Sequence, residues 1–227
     1  MTTIAAFLFD MDGLLLDTER LFMQSLISLT DQEGINRSKA EEFYLGLIGT
    51  SAAETSRQLQ DFLPGHMNPI AFEKAWRDAY DQRVSQGVPL RPYVKETLET
   101  LKSHRARMAV VTSTHGLLAR AKLQKAGIDL YFDVVKAGDE VSANKPDPAP
   151  YLEAAAALGV KAENCVAFED SDSGTTAAAR AGCRTFQIPD LRPTGLPLPE
   201  LGQEVVESLS AALTQLKVFE TALTTPE

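Results

Sequence analysis

Short runs of apolar residues recur along the chain, and stretches with helical periodicity separate them. A run without alternating polar positions is typical of a strand that is covered on both faces, as in a parallel sheet. We predict five such strands, at residues 4–9, 108–111, 132–135, 165–168 and 185–188. The order of strands and helices therefore predicts an α/β fold built on a doubly wound parallel sheet.

From residue 92 onward the predicted strands alternate regularly with helices. A helix that begins near Val94 places Val94, Leu98 and Leu101 on one stripe. Three further helices are predicted at residues 117–126, 149–158 and 174–181. Gly127 follows the first of these three, and glycine at that place commonly ends a helix in the left-handed conformation.

Residues 18–88 break this alternation, because they contain several helical stretches and no convincing strand. Ser38 with Glu41 has the spacing of a capping box, which predicts that a helix begins at Ser38. Asn68 followed by Pro69 predicts another helix start, with Asn68 as the N-cap. We therefore expect an all-helical insert after the first strand.

These patterns divide the chain into two domains. Residues 1–17 and 89–227 form the α/β core, and residues 18–88 form a helical cap domain. In open α/β sheets the ligand crevice lies outside the carboxyl ends of the strands. An insert that follows the first strand is therefore expected to act as a lid over that crevice.

Composition narrows the class of protein. The chain has 22 Lys and Arg but 31 Asp and Glu, a formal charge of −9, which argues against non-specific binding of nucleic acid.

Cys165 and Cys183 form no C-x-x-C pair, and we expect two buried structural thiols in a reducing compartment. No apolar stretch approaches the roughly 18 residues of a membrane span, and no Lys or Arg precedes the first apolar run. We expect a cytoplasmic monomer that does not bind membranes.

Two carboxylates follow the first predicted strand, in Asp10-Met11-Asp12-Gly13. Residues two apart in an extended segment point to the same side, so Asp10 and Asp12 can converge on one point. Gly13 permits the tight turn that is needed there. An Asp-rich turn without a chemical role is the alternative interpretation, since Asp and Gly are common in turns.

Three later features lie at the ends of predicted strands or just beyond them. The second strand ends in the hydroxyl residues 112–114, and the fourth is followed by Glu169 and Asp170. Lys145 lies in a Pro-rich loop before a helix. Because the carboxyl ends of parallel strands meet at one edge, we expect these residues to share a crevice with the two aspartates. Four carboxylates there require a cation, and oxygen ligands favour Mg²⁺, which with Lys145 would neutralise a phosphate dianion.

Taken together, these motifs resemble the haloacid dehalogenase (HAD) superfamily, specifically its phosphatases and phosphoglucomutase-like members with a helical cap. The resemblance covers about residues 4–190. Its matching pieces are Asp10-Met11-Asp12-Gly13, Asp17-Thr18-Glu19, Thr112, Lys145-Pro146-Asp147-Pro148, and Glu169-Asp170-Ser171-Asp172-Ser173-Gly174 with Ala177-Ala178 and Ala181-Gly182. It implies a Rossmann-like core with an inserted helical cap.

The resemblance also implies roles for the acidic residues. Asp10 would attack phosphorus and form an aspartyl-phosphate, and Asp12 would serve as general acid and base. Mg²⁺ would be held by the Asp10 side chain, the Asp12 backbone carbonyl and Asp170. Glu169 would be a further ligand, either direct or through water.

Thr112, Ser113 and Lys145 would bind the phosphoryl group, by the same resemblance. The implied activity is Mg²⁺-dependent hydrolysis of a small phosphorylated metabolite, either a sugar phosphate or a nucleoside monophosphate. A phosphosugar mutase of the beta-phosphoglucomutase type and a non-catalytic metabolite-binding module are the alternatives.

Departures from the family pattern favour hydrolysis over the mutase reaction. In the phosphoglucomutase-like members a cap arginine shortly after a Gly-x-Ser element holds the second phosphate. Here Gly49-Thr50-Ser51 is followed by Ala52-Ala53, with no cation. Phe22 lies near the place where those mutases carry a histidine.

Overall fold

The computed structural model of the protein describes residues 4–48, 50, 52–192 and 195–216. Contacts within the chain divide it into two compact units. An α/β unit holds the described residues up to Leu15, Leu90–Asp190, and the described residues from Pro199 onward. A helical unit holds Leu16–Pro89 and also the described residues of 191–198. We call residues 191–198 the return segment, because the chain comes back to the helical unit there. The sequence pattern does not predict this return.

A sheet of six parallel strands forms the centre of the α/β unit, in the order β3-β2-β1-β4-β5-β6. The strands are β1 (Ala6–Phe9), β2 (Met108–Val111), β3 (Val134–Lys136), β4 (Cys165–Glu169), β5 (Arg184–Gln187) and β6 (Glu204–Val205). The predicted doubly wound parallel sheet is confirmed. Because β2 and β4 lie on opposite sides of β1, the strand order reverses there, and ligands of such sheets bind outside that point.

Several strand bounds differ by one or two residues from the sequence prediction, and the sheet has one additional strand. The third strand begins at Val134 rather than at residue 132, because a 3-10 turn over Asp129–Tyr131 ends in a backbone hydrogen bond from Phe132 to Asp129. The two-residue strand β6 was not predicted, since two residues are too few to show any periodicity.

Helices occupy most of the remaining described chain. They are α1 (Thr18–Gln32), α2 (Arg37–Leu47), α3 (Ala52–Phe62), α4 (Pro69–Gln86), α5 (Val94–Ser103), α6 (Gly116–Lys125), α7 (Ala149–Ala157), α8 (Asp172–Arg180) and α9 (Leu209–Leu216). The predicted stripe of Val94, Leu98 and Leu101 is fully buried. Gly127 follows α6 with φ of 70°, as expected for a glycine that ends a helix. Within the described residues, each helix is either too short or too polar to cross a membrane.

The two faces of the sheet carry different side chains. Phe7 and Phe9 point to one face and stack on Phe168, with ring centroids 6.3 and 4.9 Å apart. The opposite face carries small residues such as Ala6 and Ala167, which lets α7 and α8 pack closely. Since both faces are covered, each large apolar side chain contributes about 1.5–3 kcal/mol to stability, which explains the apolar runs.

The helical unit has its own core. Trp76 is buried, stacks on Phe22 at 4.2 Å between ring centroids, and donates a hydrogen bond to the Phe22 carbonyl at 2.8 Å. Leu191, from the return segment, packs against the same apolar cluster. The cluster is continuous across α1–α4, so this unit does not depend on the sheet for its apolar core.

One predicted helix start in this unit is confirmed and one is wrong. Asn68 caps α4 by accepting a hydrogen bond from the Ala71 amide at 3.1 Å. The capping box at Ser38 is wrong, because α2 begins at Arg37 and Asn36 is its N-cap, accepting from the Lys39 amide at 3.3 Å. Asn36 lies at the correct distance from a free amide, whereas Ser38 is already inside the first turn.

Candidate active site

Three carboxylates meet at the carboxyl ends of the two central strands. Asp10 directly follows β1, and Glu169 ends β4, whose Phe168 is paired with Phe9 of β1. One ligand oxygen each from Asp10, Glu169 and Asp170 lies within 4.8 Å of the others. The structure therefore brings together the two acidic motifs that the sequence places about 160 residues apart.

Lys145 connects these carboxylates. Its ammonium group donates to Asp10 Oδ1 at 2.5 Å, to Glu169 Oε1 at 2.6 Å and to the Val111 carbonyl at 2.8 Å. An ammonium group has three protons, so each has an acceptor. Only 6% of the side chain is exposed, and the charge is held in one place.

Burial changes the proton affinity of both partners. It raises the pKa of Asp10 to about 8; the charge of Lys145 opposes that rise, and the nearby carboxylates of Glu169 and Asp12 add to it. Burial alone would lower the pKa of Lys145, but Asp10 and Glu169 more than offset this effect, and the pKa is raised. Without a bound cation, the protonated form of Asp10 is therefore favoured near neutral pH, and Lys145 stays protonated.

Glu169 is fully buried and is held on several sides. The Tyr151 hydroxyl donates to Glu169 Oε1, and Ser171 Oγ donates to Oε2 at 3.3 Å. A Cβ at Gly174 would overlap the carboxylate of Glu169, so the start of α8 packs directly on it. Burial raises the pKa of Tyr151 well above its ordinary value, and its hydroxyl remains a donor.

Asp12 points to a second set of partners. Its Oδ1 accepts from Lys122 Nζ at 2.7 Å, and its Oδ2 accepts from Thr114 Oγ1 at 2.7 Å. Only 5% of the Lys122 side chain is exposed. The carboxylate of Asp12 is thus oriented by α6 and by the loop after β2.

The predicted phosphate-binding hydroxyls lie on that same loop. Thr112 is buried and its Oγ1 accepts from the Thr114 amide at 3.1 Å. Ser113 is exposed, and its carbonyl lies so close to Gly138 that a Cβ there would overlap it. Thr112 is therefore fixed by its neighbours, and Ser113 faces solvent.

The donor set fits a divalent cation with oxygen ligands. The site contains four carboxylates, of Asp10, Asp12, Glu169 and Asp170, and two ammonium groups, of Lys122 and Lys145. When all are ionised, two negative charges remain, which one Mg²⁺ would balance. Gly13, at φ of 86°, has no Cβ to collide with Asp170, which can therefore approach the turn after β1.

The sequence pattern does not point to two residues of this cluster, Lys122 and Tyr151, and it places Thr114 at the crevice without assigning it a partner. Lys122 has a signal that could have been used, because it lies on the buried stripe of α6 beside Ala119 and Leu123, where a lysine needs a partner. Tyr151 resembles an ordinary core aromatic, and only the fold shows the acceptor for its hydroxyl.

Gly49, Thr50 and Ser51 form the Gly-x-Ser element after which this chain has no cap arginine. Of these, Gly49 and Ser51 lie outside the described residues. Ala52 and Ala53, at the start of α3, supply no cation.

Comparisons with known proteins agree with this geometry. The family model described as haloacid dehalogenase-like hydrolase matches residues 7–188. The chain is 34% identical over 177 residues to the phosphorylated carbohydrates phosphatase of Thermotoga maritima, covering 78% of this chain and 81% of that protein. It is 31% identical over 186 residues to the fructose-1-phosphate phosphatase YqaB of Escherichia coli, covering 81% of this chain and 96% of that protein.

A solved structure is similar over nearly the whole chain. The crystal structure of CbbY from Rhodobacter sphaeroides in complex with phosphate has a TM-score of 0.66 and 27% sequence identity. The match covers 91% of this chain and 95% of that one.

Proposed function

The chain belongs to the haloacid dehalogenase-like hydrolases, and from that premise we propose that it is a Mg²⁺-dependent phosphatase of small phosphorylated metabolites. The observation that carries the proposal is Lys145, whose buried ammonium group joins Asp10 to Glu169 inside a cluster of carboxylates. A lysine and a divalent cation beside a buried aspartate suit a phosphoryl group.

Asp10 is the proposed nucleophile. One of its carboxylate oxygens forms a bond to phosphorus as the ester P–O bond breaks, which gives an aspartyl-phosphate. Water then attacks that phosphorus and releases inorganic phosphate and the free carboxylate. The position of Asp10 at the end of β1, beside β4, supports this role.

Asp12 is the proposed general acid and base. It donates a proton to the leaving oxygen of the ester and later takes one from the attacking water. Its contacts to Lys122 and Thr114 support the role, because they orient the carboxylate before substrate arrives.

Lys145, Thr112 and Ser113 are proposed to bind the phosphoryl oxygens. Lys145 supplies charge next to Asp10, and Thr112 can donate its hydroxyl proton because its oxygen already accepts from the Thr114 amide. Positioning and charge stabilisation of this kind account for most of the catalysis of phosphoryl transfer.

Asp10, Asp170 and the backbone carbonyl of Asp12 are proposed to hold Mg²⁺, with Glu169 contributing through water. When bound, the ion neutralises charge on the phosphoryl oxygens. Since Oε1 of Glu169 accepts from both Lys145 and Tyr151, the main role of this residue is to hold Lys145.

The proposed substrate class is sugar phosphates, ahead of nucleoside monophosphates. Two relatives that match about four fifths of the chain are named as phosphatases of phosphorylated carbohydrates and of fructose 1-phosphate. We also propose that the helical residues 18–88 act as a cap domain that selects among such substrates.

A phosphate-release screen tests the function. Sugar phosphates and nucleoside monophosphates are incubated with the protein and Mg²⁺, and again with a chelator. We expect phosphate release with Mg²⁺, loss with the chelator, and recovery on adding Mg²⁺ back. A rate that the chelator does not change contradicts the role of the ion, and phosphoryl transfer to a second sugar hydroxyl without phosphate release would indicate a mutase.

Asp10→Asn tests the nucleophile. We expect turnover to fall at least about a thousandfold, with an unchanged far-ultraviolet circular dichroism spectrum. Asp61→Asn, which alters an exposed aspartate of α3, is the matched control and should keep full activity. Appreciable turnover by Asp10→Asn would overturn the assignment.

A further inference from the structure

Tyr151 touches both members of the buried ion pair. Its hydroxyl donates to Glu169 Oε1, the same oxygen that accepts from Lys145 Nζ at 2.6 Å. Lys145 Nζ also lies 5.4 Å from the centroid of the Tyr151 ring. Tyr151 is fully buried on α7, which begins four residues after Lys145.

Glu169 has little freedom to move away from these contacts. The backbone at Gly174 occupies the space on one side of the carboxylate, and Ser171 Oγ lies 3.3 Å from Oε2. The Tyr151 hydroxyl fixes Oε1 on the remaining side. These three contacts together fix the orientation of the Glu169 carboxylate.

The position of Lys145 depends on that orientation. One of its acceptors is a backbone group, the Val111 carbonyl of β2, and the other two are carboxylates, of Asp10 after β1 and of Glu169 at the end of β4. Of the two carboxylates, that of Glu169 is held by the Tyr151 hydroxyl, and its rotation would remove one of the three acceptors of Lys145. A change of about 1 Å in the position of a group that acts on the reacting atoms can cost roughly a hundredfold in rate.

We infer that Tyr151 is a positioning residue, which acts through Glu169 to hold Lys145 against the nucleophile Asp10. This role rests on the proposed function and extends it to the fully buried side chain of Tyr151. Loss of the hydroxyl alone should therefore impair turnover, although the apolar packing of the ring is retained.

Tyr151→Phe tests the inference, because it removes one hydroxyl and keeps the ring. Tyr44→Phe is the matched control: Tyr44 is also buried, and its hydroxyl donates to a carboxylate, Glu19 Oε2, at 2.6 Å, but within the helical unit. Both variants are assayed for kcat and KM with Mg²⁺, and for thermal unfolding.

A second measurement follows Lys145 directly. In protein labelled with ¹⁵N-lysine, an ammonium group held by three acceptors exchanges protons with water slowly and gives its own ¹⁵N–¹H signal, which Lys145→Met assigns. The signal of Lys122, which is bound to Asp12, serves as an internal reference.

For Tyr151→Phe we expect kcat to fall roughly 10- to 100-fold with little change in KM, and the Lys145 signal to shift or disappear. Tyr44→Phe should keep both kcat and the Lys145 signal while losing comparable thermal stability. An unchanged kcat with an unchanged Lys145 signal in Tyr151→Phe overturns the inference. If the unaltered protein hydrolyses no phosphate ester, the proposed function fails, and the Lys145 signal still decides whether Tyr151 positions this lysine.

Discussion

At the scale of the single residue, Gly13 meets two separate requirements. Its φ of 86° lies in the left-handed region, where a residue with a Cβ is sterically strained. A side chain there would also collide with the carboxylate of Asp170. Both requirements follow from the close approach of the turn after β1 to the end of β4.

Gly13→Ala should therefore lower both the stability of the protein and its affinity for Mg²⁺. Gly159→Ala is the control, because Gly159 has φ of 72° with open space around it. Each variant is expected to lose about 1–2 kcal/mol in free energy of unfolding from the backbone conformation. Only Gly13→Ala should also raise the Mg²⁺ concentration needed for half-maximal activity, since it displaces Asp170. Equal Mg²⁺ dependence in the two variants would contradict the role of Asp170.

The two cysteines, Cys165 and Cys183, are free and buried, as the sequence predicts. Burial raises the pKa of Cys165 to about 11 and that of Cys183 to about 12. Because the thiolate is the reactive form, the reactivity of both should be very low below these pKa values and should rise with pH.

Alkylation tests this expectation. At pH 8 the folded protein should take up almost no iodoacetamide, whereas the protein in denaturant should take up two equivalents, which mass spectrometry counts. Rapid labelling of the folded protein at pH 8 would contradict the burial of these thiols.

At the scale of the element, backbone geometry at the start of α2 decides which polar residue caps the helix. Both Asn36 and Ser38 are residues that can cap a helix, and only Asn36 has its side chain on a free amide, that of Lys39.

Alanine substitutions distinguish the two positions. Asn36→Ala should lower the free energy of unfolding of the helical unit by about 1 kcal/mol, and Ser38→Ala should change it by less than about 0.5 kcal/mol. Urea unfolding followed by Trp76 fluorescence measures both, since Trp76 lies in the core of this unit. A larger loss of stability for Ser38→Ala than for Asn36→Ala would indicate that Ser38, rather than Asn36, caps the helix.

At the scale of the whole molecule, the cluster of carboxylates at the strand ends predicts that a bound cation stabilises the folded state. A ligand that binds only the folded state stabilises it by about 2.7 kcal/mol at 100 times its Kd. For a chain of this length, each kcal/mol raises the Tm by roughly 2–4 °C.

Mg²⁺ should accordingly raise the Tm of the protein by several degrees, and NaCl at the same ionic strength should not. Asp170→Asn should remove most of the Mg²⁺ effect, because it takes one carboxylate from the proposed site. Calorimetry measures the three conditions. A Mg²⁺-induced rise that is equal in Asp170→Asn would place the ion elsewhere.

The sequence alone determined the class of fold and the main acidic motifs. Buried strands such as β2 and β4 appear as apolar runs, and the helix stripe at Val94 appears as a period, because burial acts on neighbouring positions of one element. Asp10 and Glu169 could be predicted to meet because each follows such a strand, and parallel strands end at one edge.

Only the tertiary structure decided which groups those residues contact. Lys122 lies 110 positions from Asp12, and Lys145 lies 135 positions from Asp10. No periodicity relates such positions, since their distance depends on how the helices pack on the sheet. For the same reason the hydrogen bond from Tyr151 on α7 to Glu169 at the end of β4 could not be predicted from the sequence.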